Sequence, residues 1–357
     1  MNDLDTISGI WRRNGLGVAA ADPVALVRCA TLAASSHNTQ PWRFGLERDS
    51  VVILPDLSRR CPVVDPDDHH LYCSIGCATE NLVLAARAAG LGGEAIVSGS
   101  GVRVDLTASA PERSPWFDAI PMRQTSRVEF DGTELAPGEL NALERAGRGD
   151  GVSVLLLTSR EQKDQVAAYV AAGNTAQFGD PRWTSEMREW IRFNQREARR
   201  RGDGLSGAAL GIPNVPRWFG ERVMSIAATA ASQNRKDARH IRSSGAIAVL
   251  FSERDDPRSW IEAGRCCQRL ALEATARGLR SAFLNQPIEV PALRPQFAAF
   301  LGIGSRRPDL VLRIGRGPDA PRSLRRPLDE VLLRPDPRRA GSAGPTARVS
   351  STAGSDA

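Results

Sequence analysis

Ser35, Ser36, His37, Asn38, Thr39, Gln40, Pro41 and Trp42 stand in one unbroken run. Hydroxyls, an imidazole and two carboxamides fill six consecutive positions where a plain chain reversal needs only Gly, Asp or Pro. Such a run can read the edge of a flat heterocycle. The amides of Asn38 and Gln40 each bring a donor and an acceptor, which suits a ring edge alternating carbonyls and nitrogens, and Pro41 fixes the exit of the turn. His37, among these neighbours, is expected to touch the same ligand, whereas Trp42 reads as a core anchor for the following strand. A second concentration is Arg123-Gln124-Thr125-Ser126-Arg127, in which two guanidiniums bracket hydroxyls. Arginine forms the bidentate fork that grips phosphate. Of the 47 basic residues only Lys163 and Lys236 are lysines, so by composition alone such a run carries no weight.

The surrounding pattern predicts the elements that hold these groups. Asp22 as N-cap and Pro23 at the first helical position open a helix over Pro23 to Ala34 that delivers the chain to Ser35. Two strands follow, Arg43 to Leu46 and Val51 to Leu54, around a charged turn. Leu71 to Ala89 reads as a long buried helix, with Ala78, Leu82, Ala85 and Ala89 on one face and Gly90 as its stop. This helix has a second copy. Gly76 to Leu91 aligns without gaps on Gly264 to Leu279, with seven identities in sixteen positions, Gly76/Gly264 and Gly90/Gly278 among them. Each copy precedes a short strand, Glu94 to Val97 and Ser281 to Leu284, and Asp309 to Ile314 closes the second half. Arg123 to Arg127 opens that half, ahead of a helix (Ala136 to Ala146) and a strand (Val152 to Leu157). The pattern reads as an internal duplication, the alternative being two alanine-rich helices alike by composition.

Length and composition bound the rest. The 357 residues leave room for two domains or one interlocked globule, and 41% hydrophobic residues suffice for a core. Six cysteines with no C-x-x-C pair suggest reduced thiols and a cytoplasmic setting. Cys73, Cys77, Cys266 and Cys267 read as small buried apolar residues, with no metal site expected, and His69-His70 as a solvated turn at a helix start. No apolar run is long enough to span a bilayer. A net charge of +6 arises from 47 basic against 41 acidic residues mixed along the chain, without a nucleic-acid-binding signature. The segment 174–239 has no counterpart in the first half. Asp180-Pro181 starts a helix there, Trp183, Met187, Trp190 and Ile191 form one stripe, Arg188, Arg192, Arg196 and Arg199 the other, and Gly202-Asp203-Gly204 stops it. With Trp183, Trp190 and Trp218 it is expected to be structured, either as a lid or as an extra packing layer. Expected boundaries are a flexible segment 1–21, a first half 22–118, a second half 119–334 carrying the insertion, and a disordered tail 335–357 rich in Pro, Gly, Ser and Ala.

The pattern S-S-x-N-x-Q-P-W-x-F, carried by Ser35, Ser36, Asn38, Gln40, Pro41, Trp42 and Phe44, resembles the flavin-binding signature of the FMN-dependent nitroreductase family. A chance match to its first six positions is expected on the order of 10⁻⁶ times in a chain of this composition. The resemblance extends over roughly Asp22 to Arg334 and implies an α+β nitroreductase-like fold, a mixed sheet flanked by helices. Nitroreductases are homodimers with FMN at the subunit interface; here the resemblance implies two tandem half-units forming an intramolecular pseudo-dimer with one complete site. The first half would supply Ser35, Ser36, His37, Asn38 and Gln40, and the second Arg123, Thr125 and Arg127 for the phosphate. Arg325, in a segment similar to the family's closing R-x-P-L-x-E-V, is a further phosphate candidate. Asn81 would lie at the flavin pyrimidine edge, and Leu284-Asn285 would bring a backbone N–H to the reactive ring nitrogen. The long insertion is similar to the Acg-type branch of the family. The implied activity is NAD(P)H-dependent reduction of nitro, quinone or similar flat small-molecule acceptors through FMN, in a monomer or weak homodimer, with no side-chain acid or base strictly required. The alternative is FMN storage under a closed lid with little turnover.

Overall fold

The structure, a computed structural model, describes residues 22–334; the segments 1–21 and 335–357, expected to be flexible and disordered, lie outside them. Asp22 accepts a hydrogen bond from the Val24 N–H at 2.9 Å and starts helix α1 (Pro23–Thr31), which ends in the polar turn. Strands β1 (Trp42–Leu46) and β2 (Ser50–Pro55) form a hairpin. Helix α2 (His69–Ala88) then leads to β3 (Glu94–Ser98) and β4 (Gly101–Asp105), completing a sheet of order β1-β2-β4-β3.

The second half repeats this plan. Helix α3 (Pro137–Ala146) precedes β5 (Val152–Leu157). After a long connection, 158–245, come β6 (Ala246–Ser252), a 20-residue helix (Pro257–Ala276), β7 (Arg280–Phe283) and β8 (Arg307–Gly315), in a sheet of order β5-β6-β8-β7. The two orders are the same when strands are ranked along each half. The expected single mixed sheet is therefore two sheets, each antiparallel at every pairing. Parallel contact at their margins is limited, among the described residues, to single bridges, Phe44 with Leu332 and Thr125 with Ser281; a hairpin joins its two strands antiparallel, and the strands flanking each duplicated helix do not pair with each other.

The duplicated helices cross at their shared glycine. A Cβ on Gly76 would land on the Ile261 carbonyl, and one on Gly264 would land on the Cys73 carbonyl. Because 261 and 264 lie 188 positions after 73 and 76, the contact is reciprocal, as at the two-fold axis of a dimer. Beside it, Glu80 pairs with Arg265 and Arg269 at 3.0 Å each, and Gln268 donates to Asn81 at 2.8 Å. All six cysteines are buried and unbridged.

The connection 158–245 holds five longer helices: α4 (Arg160–Gly179), α5 (Pro181–Trp190), α6 (Gln195–Arg201), α7 (Arg217–Ala227) and α8 (Ala230–Arg242). Asp180 caps α5 as expected, but the four-arginine face does not form on one helix. Helix α5 stops at Trp190, a two-residue strand intervenes, and Asn194 caps a new helix. Arg192 is buried against Asp203 at 2.7 Å. Trp218 is 72% exposed on α7 and packs no core, whereas Trp183 joins Cys61 and Val64 in a small apolar cluster.

Candidate functional site

The turn after α1 is strained. His37, Asn38 and Gln40 have φ of 46°, 55° and 53°, a left-handed conformation that non-glycine residues rarely adopt and that clusters at functional sites. Long-range hydrogen bonds hold it. Asn38 Nδ2 donates to the Gly204 and Leu324 carbonyls at 3.1 and 3.2 Å, and the Gly204 N–H returns a bond to the Asn38 carbonyl at 3.1 Å. Gln40 Nε2 donates to the Gly202 carbonyl at 2.8 Å, while Gln40 Oε1 accepts from the Arg326 N–H at 2.9 Å. The side-chain amides of both are thus committed to the protein itself. Ser35, Ser36 and His37 line a large cavity, and Ser35 and Asn38 a smaller pocket beside it.

That cavity, of about 310 Å³, is built by both halves and by the insertion. Ser35, Ser36, His37, His70 and Cys73 come from the first half, and Thr125, Arg127, Leu284, Asn285 and Arg313 from the second. The insertion adds Phe178, Trp183, Met187, Lys236 and Asp237. A smaller pocket adjoins it, sharing Ala34, Ser35, Thr125, Arg127 and Leu205. Four guanidiniums, those of Arg123, Arg127, Arg322 and Arg325, line this pocket with no carboxylate among its lining residues. Burial pulls Arg123 and Arg127 below the usual arginine range. The Arg123 side chain donates once, to the Leu32 carbonyl at 3.2 Å, and its buried Nε has no partner among the described residues. The unpartnered Nε of Arg123, beside Arg127 in a pocket with no carboxylate in its lining, suits an anion such as a phosphate, with its three acceptor oxygens.

Arg325 plays a different part from the one expected. Its guanidinium donates to the carbonyls of Thr31, Leu32 and Ala33 at 2.6 to 3.1 Å and to Asn38 Oδ1 at 3.1 Å. It thus caps the C-terminus of α1 and braces the turn, lending positive charge to the pocket while its donors are spent on protein. Asn81 lies off the cavity altogether. It is fully buried between the crossed helices, donating to the Cys29 carbonyl at 3.1 Å and accepting from Gln268. Of the pair Leu284-Asn285, the Leu284 N–H is committed to the Val311 carbonyl at 2.8 Å, so only Asn285 can bring a backbone N–H to the cavity.

Several cavity groups escape a reading of the motifs alone. Arg313 projects from β8, 1% exposed, donating through Nη2 to the Ser126 and Val128 carbonyls while its buried Nη1 has no hydrogen-bond partner among the described residues. Burial, with Arg127 nearby, lowers it to about 10. Burial likewise lowers His37 to about 4 and raises Glu289, on the short helix Gln286–Glu289, to about 7. His69 and His70 are not solvated: they are 2% and 5% exposed, and His69 Nε2 lies 2.9 Å from Asp309 Oδ1. Burial holds that pair neutral, with Asp309 raised to about 8 and His69 well below its ordinary value. Asp65 lies close to both histidines, but its carboxylate accepts the His70 and Leu71 N–H groups at 3.0 Å each. The cluster is thus an internal polar network that caps the first turn of α2. An arginine and an aspartate in a wholly buried strand, Arg313 and Asp309 in β8, were the available signal.

The insertion closes over this cavity and is fastened to the first half. Asp203 takes ion pairs from Arg59 and Arg192, and the Glu186 carboxylate accepts the Val63 and Val64 N–H groups at 2.9 and 3.0 Å. Gly202 and Gly204, with φ of 62° and 72°, make the tight loop that meets Asn38 and Gln40. The insertion thus lines the cavity and also packs as a layer.

No protein-family model matches the chain. Among curated proteins, it is 26% identical over 328 residues to "Putative NAD(P)H nitroreductase Rv3131" of Mycobacterium tuberculosis, covering 86% of this chain and 90% of that protein. The fold is nitroreductase-like. It is also 24% identical over 329 residues to "Putative NAD(P)H nitroreductase acg" of the same organism, covering 86% and 93%. Solved structures include the FMN-dependent nitroreductase NfnB from Mycobacterium smegmatis in complex with NADPH, with 17% identity, a TM-score of 0.42, and coverage of 62% of this chain and 98% of that one. A nitroreductase with bound FMN from Desulfitobacterium hafniense gives 12% identity, a TM-score of 0.39, and 63% and 100% coverage. Among the described residues, no helix of this nitroreductase-like chain is long and apolar enough to cross a membrane.

Proposed function

We propose that this chain binds one FMN per molecule, in the joined cavity, and acts as an NAD(P)H-dependent oxidoreductase on flat acceptors such as nitroaromatics or quinones. The observation that carries the reading is the arginine pocket: four guanidiniums, no carboxylate among its lining residues, opening directly into a cavity assembled by both halves. Arg123 and Arg127, with Thr125, would hold the phosphate; Ser35, Ser36 and His37 would face the ring, with Asn285 near its far side. When bound, FMN supplies the two-electron chemistry, accepting hydride from NAD(P)H and passing it to the acceptor. The chain's own work is to neutralise the phosphate, exclude water under the insertion, and hold the turn rigid through Asn38, Gln40 and Arg325. On this reading the halves 22–118 and 119–334, the second carrying the insertion, form a pseudo-dimer that needs no second copy.

The fastening of the insertion through Gly202–Gly204 and Asp203 supports a second reading, FMN storage with little turnover, the behaviour proposed for the Acg-type resemblance. Anaerobic addition of NADPH to the purified yellow protein separates the two. Bleaching of the flavin within seconds is expected for the reductase, and a flavin that stays oxidised favours storage. Protein that is colourless and remains so with excess FMN rejects both.

A further inference from the structure

Reducing a quinone or nitro group takes a proton as well as a hydride, and the cavity wall carries a group suited to provide it. Glu289 and His70 line the larger cavity but not the arginine pocket, so neither is drawn into holding an anion. Glu289 Oε1 lies 3.8 Å from His70 Nδ1, and its other oxygen accepts from Gln177 Nε2 at 2.7 Å. Both nitrogens of the buried His70 ring lack a hydrogen-bond partner among the described residues. Of the groups that bear on Glu289, Gln177 from α4 is neutral, and Asp65, ahead of α2, and Glu186 from α5 are acidic; Arg294, on the helix that follows, donates to the Ile288 carbonyl at 2.9 Å and lies 3.9 Å from Asp67. His70 from α2 is itself neutral, lowered to about 4 chiefly by burial.

We propose that Glu289 is the catalytic acid of this cavity, donating its proton to the acceptor oxygen, with His70 as the positioning residue that steadies the carboxylate left behind. The inference rests on the oxidoreductase reading. With a quinone, the acceptor gains a hydride from the reduced flavin and a proton from Glu289: the Glu289 O–H bond breaks, a new O–H bond forms on the quinone oxygen, and the product is the quinol. The flavin is oxidised by the hydride it loses. The carboxylate then accepts a hydrogen bond from the His70 imidazole N–H across the present 3.8 Å gap and is reprotonated by water. A carboxyl raised to about 7 by burial has the match of acidity to operating pH that general acids need.

The test uses the FMN-loaded full chain in stopped flow, with Glu289→Gln beside the wild type. Glu289→Gln is expected to keep its flavin and its rate of reduction by NADPH, while reoxidation by a quinone slows about a hundredfold or more. The wild-type reoxidation rate should fall above about pH 7, and that limb should vanish in the variant. Gln177→Leu, which removes the hydrogen bond favouring the carboxylate, should move the limb to higher pH; this readout survives if Glu289→Gln fails to fold. Infrared difference spectra should show one protonated-carboxyl band that titrates with the same limb and is missing from Glu289→Gln. Normal flavin reduction with reoxidation, limb and band all unaltered in the variants overturns the proposal alone. A protein that takes up no flavin overturns the oxidoreductase reading and this one with it, whatever the infrared band does.

Discussion

The two halves have the same strand order, the same helix before the first strand and the same glycine at the helix crossing, yet they treat the turn between first helix and first strand quite differently. In the first half it is the strained, polar run Ser35 to Trp42; in the second it is Gly147 to Val152, closed by a single bridge between Gly149 and Val152. The second half instead spends 88 residues, 158–245, between two paired strands where the first half spends three, 47–49. The two halves thus share what makes them stick and differ in what makes a site. One elaborate turn and one elaborate insertion, from opposite halves, meet at Asn38 and Gly204 over a shared cavity.

The most damaging way to break this arrangement is through its shared part. Gly76→Leu or Gly264→Leu must push the crossed helices apart, because the first new carbon already occupies the position of a backbone carbonyl. Loss of more than about 4 kcal/mol is expected, seen as a collapse of soluble yield or of the thermal transition by circular dichroism. Gly138→Ala, at a glycine with open space around it, should be close to neutral. Equal behaviour of the crossing and control variants would deny the reciprocal contact.

The next variants separate site from scaffold. Arg123→Ala with Arg127→Ala should leave folded protein that binds FMN at least about a hundredfold more weakly, since each charge-assisted bond is worth about 1.5 to 3 kcal/mol. Titration of apo-protein with FMN checks this, and unchanged affinity removes the phosphate assignment. Asp203→Asn acts on the other side of the comparison. It leaves Arg59 and the buried Arg192 without their shared carboxylate, so about tenfold faster release of FMN and cleavage of the insertion by trypsin are expected.

Much of this division was legible in the sequence, for local reasons. Asp22-Pro23 and Asp180-Pro181 carry their capping chemistry in adjacent residues, and the strands flanking 47–49 alternate over a short span. The gapless match of Gly76–Leu91 to Gly264–Leu279 exposed the duplication because both copies must keep a glycine at one crossing. What stayed hidden depends on partners far along the chain. Asn38 and Gln40 look like ligand readers in isolation, but their amides meet Gly202, Gly204 and Leu324, 162 to 286 residues away. His69-His70 looks like a polar helix start, yet Asp309, 240 residues on, makes it core. Asn81 matches a family position in sequence but falls on the helix crossing, where Gln268 and not a ligand completes its hydrogen bonding.

The gentlest probe is pH, because the histidines and the buried carboxyls pull stability in opposite directions. His37, His70 and His240 are lowered to about 4, each chiefly by burial. Between pH 4 and 6.5 the unfolded chain therefore binds protons the native one does not, and their contribution grows with pH until it is complete near 6.5. Glu289 and Asp309 are raised by burial to about 7 and about 8. There the native state holds protons the unfolded chain has lost, so stability falls as pH rises through those values. Above 6.5 only the second effect remains. The apo-protein should lose about 2 to 3 kcal/mol from pH 6.5 to 8, a few degrees in melting temperature. Asp309→Asn, which keeps a polar partner for His69 without a proton to lose, should remove most of that fall above pH 7 and leave the smaller part that belongs to Glu289, half titrated there. A melting temperature that rises from pH 6.5 to 8 would mean these carboxyls are ionised in the folded protein, placing a counter-charge beside them and removing the contrast between a cationic pocket for the anion and a neutral, proton-holding wall.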